Sequence, residues 1–433
     1  MKHRIFGFDD KENSMTKEKL LTYIDKYKEE LRMQGRILFE TPELGFYEEN
    51  TVHIITSFFD SHKIRYEKNI SRSGIKVTLG KAGYHIGVLA DMDAIVVQGA
   101  EGLLKIHSCG HSIQVTMLMA LALIFNESGF FGEEEGRITF LFTPAEEFIC
   151  LEERKKLVES GEVRYPSGKQ DMIAAGLFDT IDCILSAHIN GEEGKKFDIN
   201  STLAGFTRKK VVFQGKAAHS GAAPHLGKNA LHGATLAINA LSFLKDQFSV
   251  EQGIRLYPVL TRGGISSNAI PEEAVLESDL RANDADTLFL LEKRFDSCVT
   301  ACAEALGLTC DIENTIGYMP LKQSEKINKT VYNNMRLYVN EKEIIKDIVS
   351  GAAGDIGDVG YLLPSIQFGF SGMKGRIHSS AFEIIEEDFV YGDVIKVMAG
   401  TIYDLLVHPE NQEKASSYKE RKQFYLTNWL HEN

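Results

Sequence analysis

Four apolar runs constrain this chain more than any other feature: "YHIGVLA" ending at Ala90, "RITFLF" ending at Phe142, "DCILSA" ending at Ala187 and "SIQFGF" ending at Phe370. Between them lie longer helical patterns, among them "SIQVTMLMALALIF". Short buried strands alternating with helices are the signature of a mostly parallel sheet covered by helices on both faces, an α/β class of fold.

Chemistry-bearing side chains follow each run. Asp91 and Asp93 stand in "DMDA", Glu146 and Glu147 in "TPAEEF", His188 in "AHIN" and His378 in "GRIHSS". Ligands of open α/β sheets bind outside the carboxyl ends of the strands, so these groups are expected to converge on one crevice. The stretch "HSCGH", at the N-terminus of the helix that follows it, is expected beside them.

A chain of 433 residues is long enough for about two domains. From Phe206 to about Gly317 the pattern changes to strand, helix, two strands, helix, strand, the order of a ferredoxin-like β-α-β-β-α-β unit, and the parallel-sheet pattern resumes after it. The expected organisation is a catalytic domain in two parts, 15–203 and 318–433, with an inserted domain at 204–317.

Composition excludes several functions. A net charge of −13 repels nucleic acid and anionic lipid, which both need a dense Lys/Arg face. The longest apolar runs, such as "VTMLMALALIF", have about half the length that crosses a bilayer, and the charged N-terminus does not read as a signal peptide. No partner among nucleic acids or membranes is expected. Six cysteines without paired CxxC spacing read as reduced thiols of a cytoplasmic protein. Met1–Ser14 reads as a start-site extension, because the first amphipathic pattern begins after Met15.

Cys109, His111, Glu147, His188 and His378 together offer thiolate, imidazole and carboxylate donors. Five donors are too many for one catalytic tetrahedral ion and suit two ions that share a bridging group. Adjacent glutamates point in different directions, so Glu147 is read as a metal donor and Glu146 as the base facing the substrate. A cysteine-protease reading needs Cys109 and one histidine but leaves the other acids and imidazoles without a role. Asp91 and Asp93 are read as holding the ligand imidazoles from outside, with simple loop capping as the alternative.

With these residues in view, the chain resembles a family of dinuclear metallo-amidohydrolases and exopeptidases. The family includes aminoacylases, hippurate hydrolases, indoleacetyl-amino-acid hydrolases and p-aminobenzoyl-glutamate hydrolases. The resemblance runs through "TPELGFYEENT", "ADMDA", "HSCGH", "TPAEE", "AHI", "GKAAHSGAAPHLGKNAL", "GGISSNAIPEEAVLESDLRAND" and "IHSSAF" in the family's order. It implies a zinc-exopeptidase-like catalytic domain with an inserted lid that also forms a homodimer. It implies two divalent ions per subunit, zinc or manganese with cobalt also suitable, on the five donors named above, and Glu146 delivering a proton to the leaving amine. It further implies that His219 of the lid stabilises the oxyanion, and that Asn268 and Arg281 hold a substrate carboxylate.

The sequence departs from that family at Ser112 and Gln114, where an aspartate and a histidine are usual. The link from "DMDA" to "HSCGH" is shorter than usual, and "LEERKKLVESGEVRYPSGKQD" after "PAEE" reads as an insertion, both taken as loops flanking the crevice. Asp355 or Asp358 in "AAGDIGDVG" stands where the family has an acidic loop. The expected function is hydrolysis, by metal-activated water, of the amide bond of N-acyl or N-aroyl amino acids or small dipeptide-like conjugates. The alternative is a catalytically weak relative that binds such conjugates or serves as a partner subunit.

Overall fold

The structure is a computed structural model describing residues 15–99, 102–132, 136–190 and 194–432. The extension read at Met1–Ser14 lies outside the described residues. The described residues form two compact units: those within 1–201, 323–348 and 362–418 make the first, and those within 202–322, 349–361 and 419–433 the second.

The first unit is built on an eight-stranded mixed sheet. Its four central strands, Gly136–Thr143, His85–Asp91, Cys183–Ile189 and Ser365–Phe370, are mutually parallel and adjacent in that order. They coincide with the four apolar runs. All seven residues of His85–Asp91 are buried, so side chains on both faces of the sheet are covered. Antiparallel pairing enters on both sides: Gly74–Ala82 against Gly136–Thr143, and Phe197–Ile199 against Ser365–Phe370.

One core joins alternate strand residues, among them Ile86, Val88, Phe140, Phe142, Leu185 and Phe368, to the helices around the sheet. The most deeply set of these helices is His111–Glu127, buried from His111 to Phe125. It packs on the strand His85–Asp91 and against the helix Lys17–Phe39. That position explains its near-continuous apolar sequence, because a helix covered all round has no polar face. Among the described residues no helix is long and apolar enough to cross a membrane.

The second unit carries an antiparallel sheet in the order Arg255–Leu256, Glu273–Ala282, Gly205–Gln214, Thr309–Tyr318, with Val259–Arg262 also on Glu273–Ala282. Helices Ala230–Lys245 and Ala285–Ala305 share a core with this sheet through Val211, Phe213, Leu241, Leu276, Leu291 and Phe295.

The two segments read as crevice loops are structured. The link between "DMDA" and "HSCGH" contains paired strands Ile95–Gly99 and Gly102–Ile106. The segment after "PAEE" folds into helices Leu151–Glu159 and Gly168–Ala174. On the first of these helices Arg154 and Leu157 turn inward and are buried.

Candidate metal centre

Strand order brings the first unit's candidate residues to one edge. Asp91 closes the strand His85–Asp91, Glu146 and Glu147 follow Gly136–Thr143 by three and four positions, and His188 is the penultimate residue of the strand Cys183–Ile189. Cys109 immediately precedes Gly110, whose left-handed conformation (φ 81°) opens the helix His111–Glu127. A Cβ on Gly110 would lie 2.4 Å from Ile189 Cγ2, so glycine is needed there both for its φ and for the close approach of the loop to the neighbouring strand. His378 arrives from the other end of the chain, and its N–H donates to the Ser108 carbonyl at 3.1 Å.

The donor atoms meet. Cys109 Sγ is 3.4 Å from His188 Nε2 and 3.2 Å from His378 Nε2. His378 Nε2 is 3.3 Å from Glu147 Oε1, and His111 Nε2 is 3.8 Å from Glu146 Oε2. Three overlapping triads have donor atoms within 4.8 Å of one another: Cys109, His111 and His188; Cys109, Glu147 and His378; His111, Glu146 and Glu147. The first two share Cys109, the arrangement expected of a bridging group.

Buried atoms of the cluster lack a hydrogen-bond partner. His111 Nε2 and Glu147 Oε1 are both buried with none among the described residues, an arrangement that costs free energy in a protein interior unless something else meets them. The opposite nitrogen, His111 Nδ1, is held by the Asp93 carbonyl oxygen at 2.8 Å and faces Asp93 Oδ1 at 3.3 Å. That is the usual way a ligand imidazole is oriented by its other nitrogen. Donor chemistry and unpartnered atoms together fit divalent cations.

Burial and neighbouring charges act on the same side chains. Burial pushes the Cys109 thiol well above its ordinary value, and the nearby Glu147 charge adds to the effect. Burial would lower His111, but Cys109 and the hydrogen bond to Asp93 raise it well above the usual imidazole range. Burial, and then the charge of His111, lowers His188, while the Glu147 carboxylate 3.3 Å away raises His378. Burial of Asp93 would raise its carboxyl, yet His111 and Arg154 hold it below the ordinary range.

The aspartates stand around the donors in different ways. Asp93 Oδ2 accepts the Glu147 N–H at 3.0 Å. Asp91 accepts from Thr143 Oγ1 at 2.6 Å, pairs with the ammonium of Lys169, and its own N–H donates to Gln114 Oε1 at 2.8 Å. Gln114 thus supports the backbone at Asp91.

Sequence reasoning missed Glu48, Arg154 and Lys169, all fully or almost fully buried. Glu48 accepts from Ser73 Oγ at 2.5 Å and from the Ala145 N–H at 3.0 Å. Its carboxyl is pushed up to about 7, first by burial and then by the Asp93 charge. The "TPELGFYEENT" motif was a signal for Glu48. Nothing in the composition of the 151–171 segment marks its two buried cations.

The other three candidates belong to the second unit. His219 Nδ1 accepts from the N–H groups of Gly221 and Ala222 at 3.2 and 3.1 Å. The Asn268 carbonyl accepts the Ser220 N–H at 3.0 Å, which ties the Asn268 and His219 loops together. Arg281 donates to the Gly351 carbonyl at 3.0 Å and lies over the Phe206 ring. Asp355 and Asp358 are buried, and Asp358 accepts the Met319 N–H at 3.1 Å.

A family model described as "Peptidase family M20/M25/M40" matches residues 87–404. The human Xaa-Arg dipeptidase is 26% identical over 420 residues, covering 89% of this chain and 88% of that protein. An N-acyl-L-amino acid amidohydrolase from Geobacillus stearothermophilus is 25% identical, covering 71% of this chain and 81% of its own length. The crystal structure of a dinuclear metal-binding peptidase of the M20 family from Bacillus subtilis aligns with a TM-score of 0.68 at 18% identity, covering 88% of this chain and 99% of that one.

Proposed function

Because the chain belongs to peptidase family M20/M25/M40, we propose that it is a metal-dependent hydrolase that cleaves the amide bond of N-acyl or N-aroyl amino acids or of small dipeptide-like conjugates, releasing a free amino acid. The observation that carries this reading is the pair of donor triads sharing Cys109, with Glu146 beside them. The relatives reported above are named as hydrolases of such bonds, and their names lend nothing to a binding-only role.

The donors Cys109, His111, Glu147, His188 and His378 would hold two divalent ions, for which zinc, manganese and cobalt are all chemically suited. Such ions supply Lewis acidity, polarising a carbonyl and activating water at neutral pH. The protein's own part is proton movement and orientation. Glu146 takes the proton of the attacking water and returns it to the leaving amine nitrogen, the role of a carboxylate placed beside the reacting atoms. Asp93 fixes the His111 ring and the Glu147 backbone, and Asp91 is held by Lys169 and Thr143.

Residues 204–317, which lie within the second unit, are assigned as the inserted lid. His219 would stabilise the oxyanion, Asn268 and Arg281 would hold the substrate carboxylate, and the same unit would form the homodimer. Six unpaired thiols suit a cytoplasmic setting.

A panel of N-acetyl, N-benzoyl and indoleacetyl amino acids and Xaa-Arg dipeptides, assayed with added zinc, manganese or cobalt, tests the reading. Release of free amino acid that disappears with chelator and returns with metal supports it. Binding of these compounds without turnover in metal-replete protein would overturn it.

A further inference from the structure

The segment between 150 and 174 brings two cations into the interior of the first unit. Arg154 and Lys169 are each 1% exposed. Burying a guanidinium is costly unless its charge is met, so the groups nearest Arg154, two carbonyls bonded to Nη1 and one carboxylate paired with the head, show where it acts. Its Nη1 donates to the Ala145 carbonyl at 3.0 Å and to the Pro166 carbonyl at 2.9 Å, and its Nη2 lies 3.6 Å from Asp93 Oδ2.

Two of those partners control donor residues directly. Asp93 accepts the Glu147 N–H and faces His111 Nδ1. Ala145, immediately before the two glutamates, is in the left-handed region with φ 56°, a conformation that costs an alanine on the order of 1 to 2 kcal/mol. The surroundings enforce it: the Ala145 N–H is tied to Glu48 and its carbonyl to Arg154. Gly45 leaves the room, since a Cβ there would lie 2.4 Å from Arg154 Nη2.

We propose that Arg154 is a positioning residue for the metal centre. Through Asp93 and the Ala145 carbonyl it sets the orientation of His111 and Glu147, so the helix Leu151–Glu159 is a brace for the metal donors and not a wall of the substrate pocket. The inference rests on the metal-dependent reading above. A planar fork can address carbonyls and a carboxylate at once, which a lysine ammonium at the same place cannot.

The test uses the full chain, stripped with chelator and titrated with cobalt(II) alone, following its visible bands, and with zinc in competition with a chromophoric chelator. Arg154→Lys keeps the charge, and Arg154→Gln keeps one donor. Both are expected to retain their circular dichroism, to bind metal roughly 10- to 100-fold more weakly, and to shift the cobalt spectrum. A purely structural role would lower the melting temperature yet leave the spectrum and affinity of the folded protein unchanged, which would overturn the proposal. It is also overturned if both variants fail to fold, because Arg154 then serves the whole unit. Wild-type protein that takes up neither metal would remove the metal reading itself, whereas normal uptake by wild type and both variants removes only the role of Arg154.

Discussion

Cys109 Sγ stands 3.2 Å from His378 Nε2, although 269 positions separate the two residues in the chain. The same sulfur is 3.4 Å from His188 Nε2. A cysteine nucleophile needs a lowered pKa and one face open to substrate. Cys109 has neither: it is 7% exposed, sits between two imidazoles, and burial drives its thiol upward. A cation beside the sulfur is what would turn it into a thiolate.

Removing this sulfur therefore removes a group that two of the three triads share. Wild-type protein purified without chelator is expected to carry about two divalent ions per chain, and Cys109→Ala fewer, as read by elemental analysis. Chelation should also lower the melting temperature of wild type, and saturating metal at about 100 times its Kd should restore roughly 2.7 kcal/mol of stability. Equal metal content in both proteins would rule out Cys109 as a ligand.

Glu146 lies within reach of the donors His111 and Glu147, so distance alone does not separate a base from a ligand. Glu146→Gln does. As the base, its loss leaves the ions in place and lowers kcat by roughly 100- to 10,000-fold with KM little changed. Loss of an ion would instead make Glu146 a ligand, and near-native turnover would leave it neither role.

The sheet was legible because its four central strands are buried on both faces, and burial on both faces leaves an unbroken apolar run. The candidate donors were legible as a group because each follows such a run beyond the strand's carboxyl end or, like Cys109, stands just before the next helix. The supports were not. Arg154 stands in "LEERKK", where charge density reads as a solvated surface, and its burial depends on the Ala145 carbonyl and on Asp93, 61 positions earlier. Lys169 meets Asp91 across 78 positions. Pairings of this kind depend on tertiary geometry and leave no local periodicity. Gln114 is a related case: a departure from the family pattern, read as altered support for the metals, holds the backbone N–H of Asp91.

Gly110 links the donor loop to its helix. Gly110→Ala would place a methyl 2.4 Å from Ile189 Cγ2 on a backbone with φ 81°. The left-handed conformation alone costs about 1 to 2 kcal/mol, and the contact adds to it. Denaturant unfolding should show a loss of at least that size, together with weakened metal binding because Cys109 and His111 flank the glycine. A variant as stable as wild type would mean that the loop and the strand separate easily.

Glu48 makes stability depend on pH in the direction opposite to most carboxylates. Its folded pKa of about 7 lies above the ordinary 4.5. Below that ordinary value both folded and unfolded states keep the proton. Between it and about 7 only the unfolded chain releases it, so rising pH favours unfolding. The contribution is fully present in acid and gone above neutrality, a change of roughly 3 kcal/mol. Glu48→Gln mimics the protonated side chain and keeps an acceptor for the Ala145 N–H. Urea unfolding of chelator-treated protein at pH 5 and pH 8 should show wild type losing ground to the variant as pH rises. Parallel pH dependence in the two proteins would mean that Glu48 titrates in the folded state as it does in the unfolded chain.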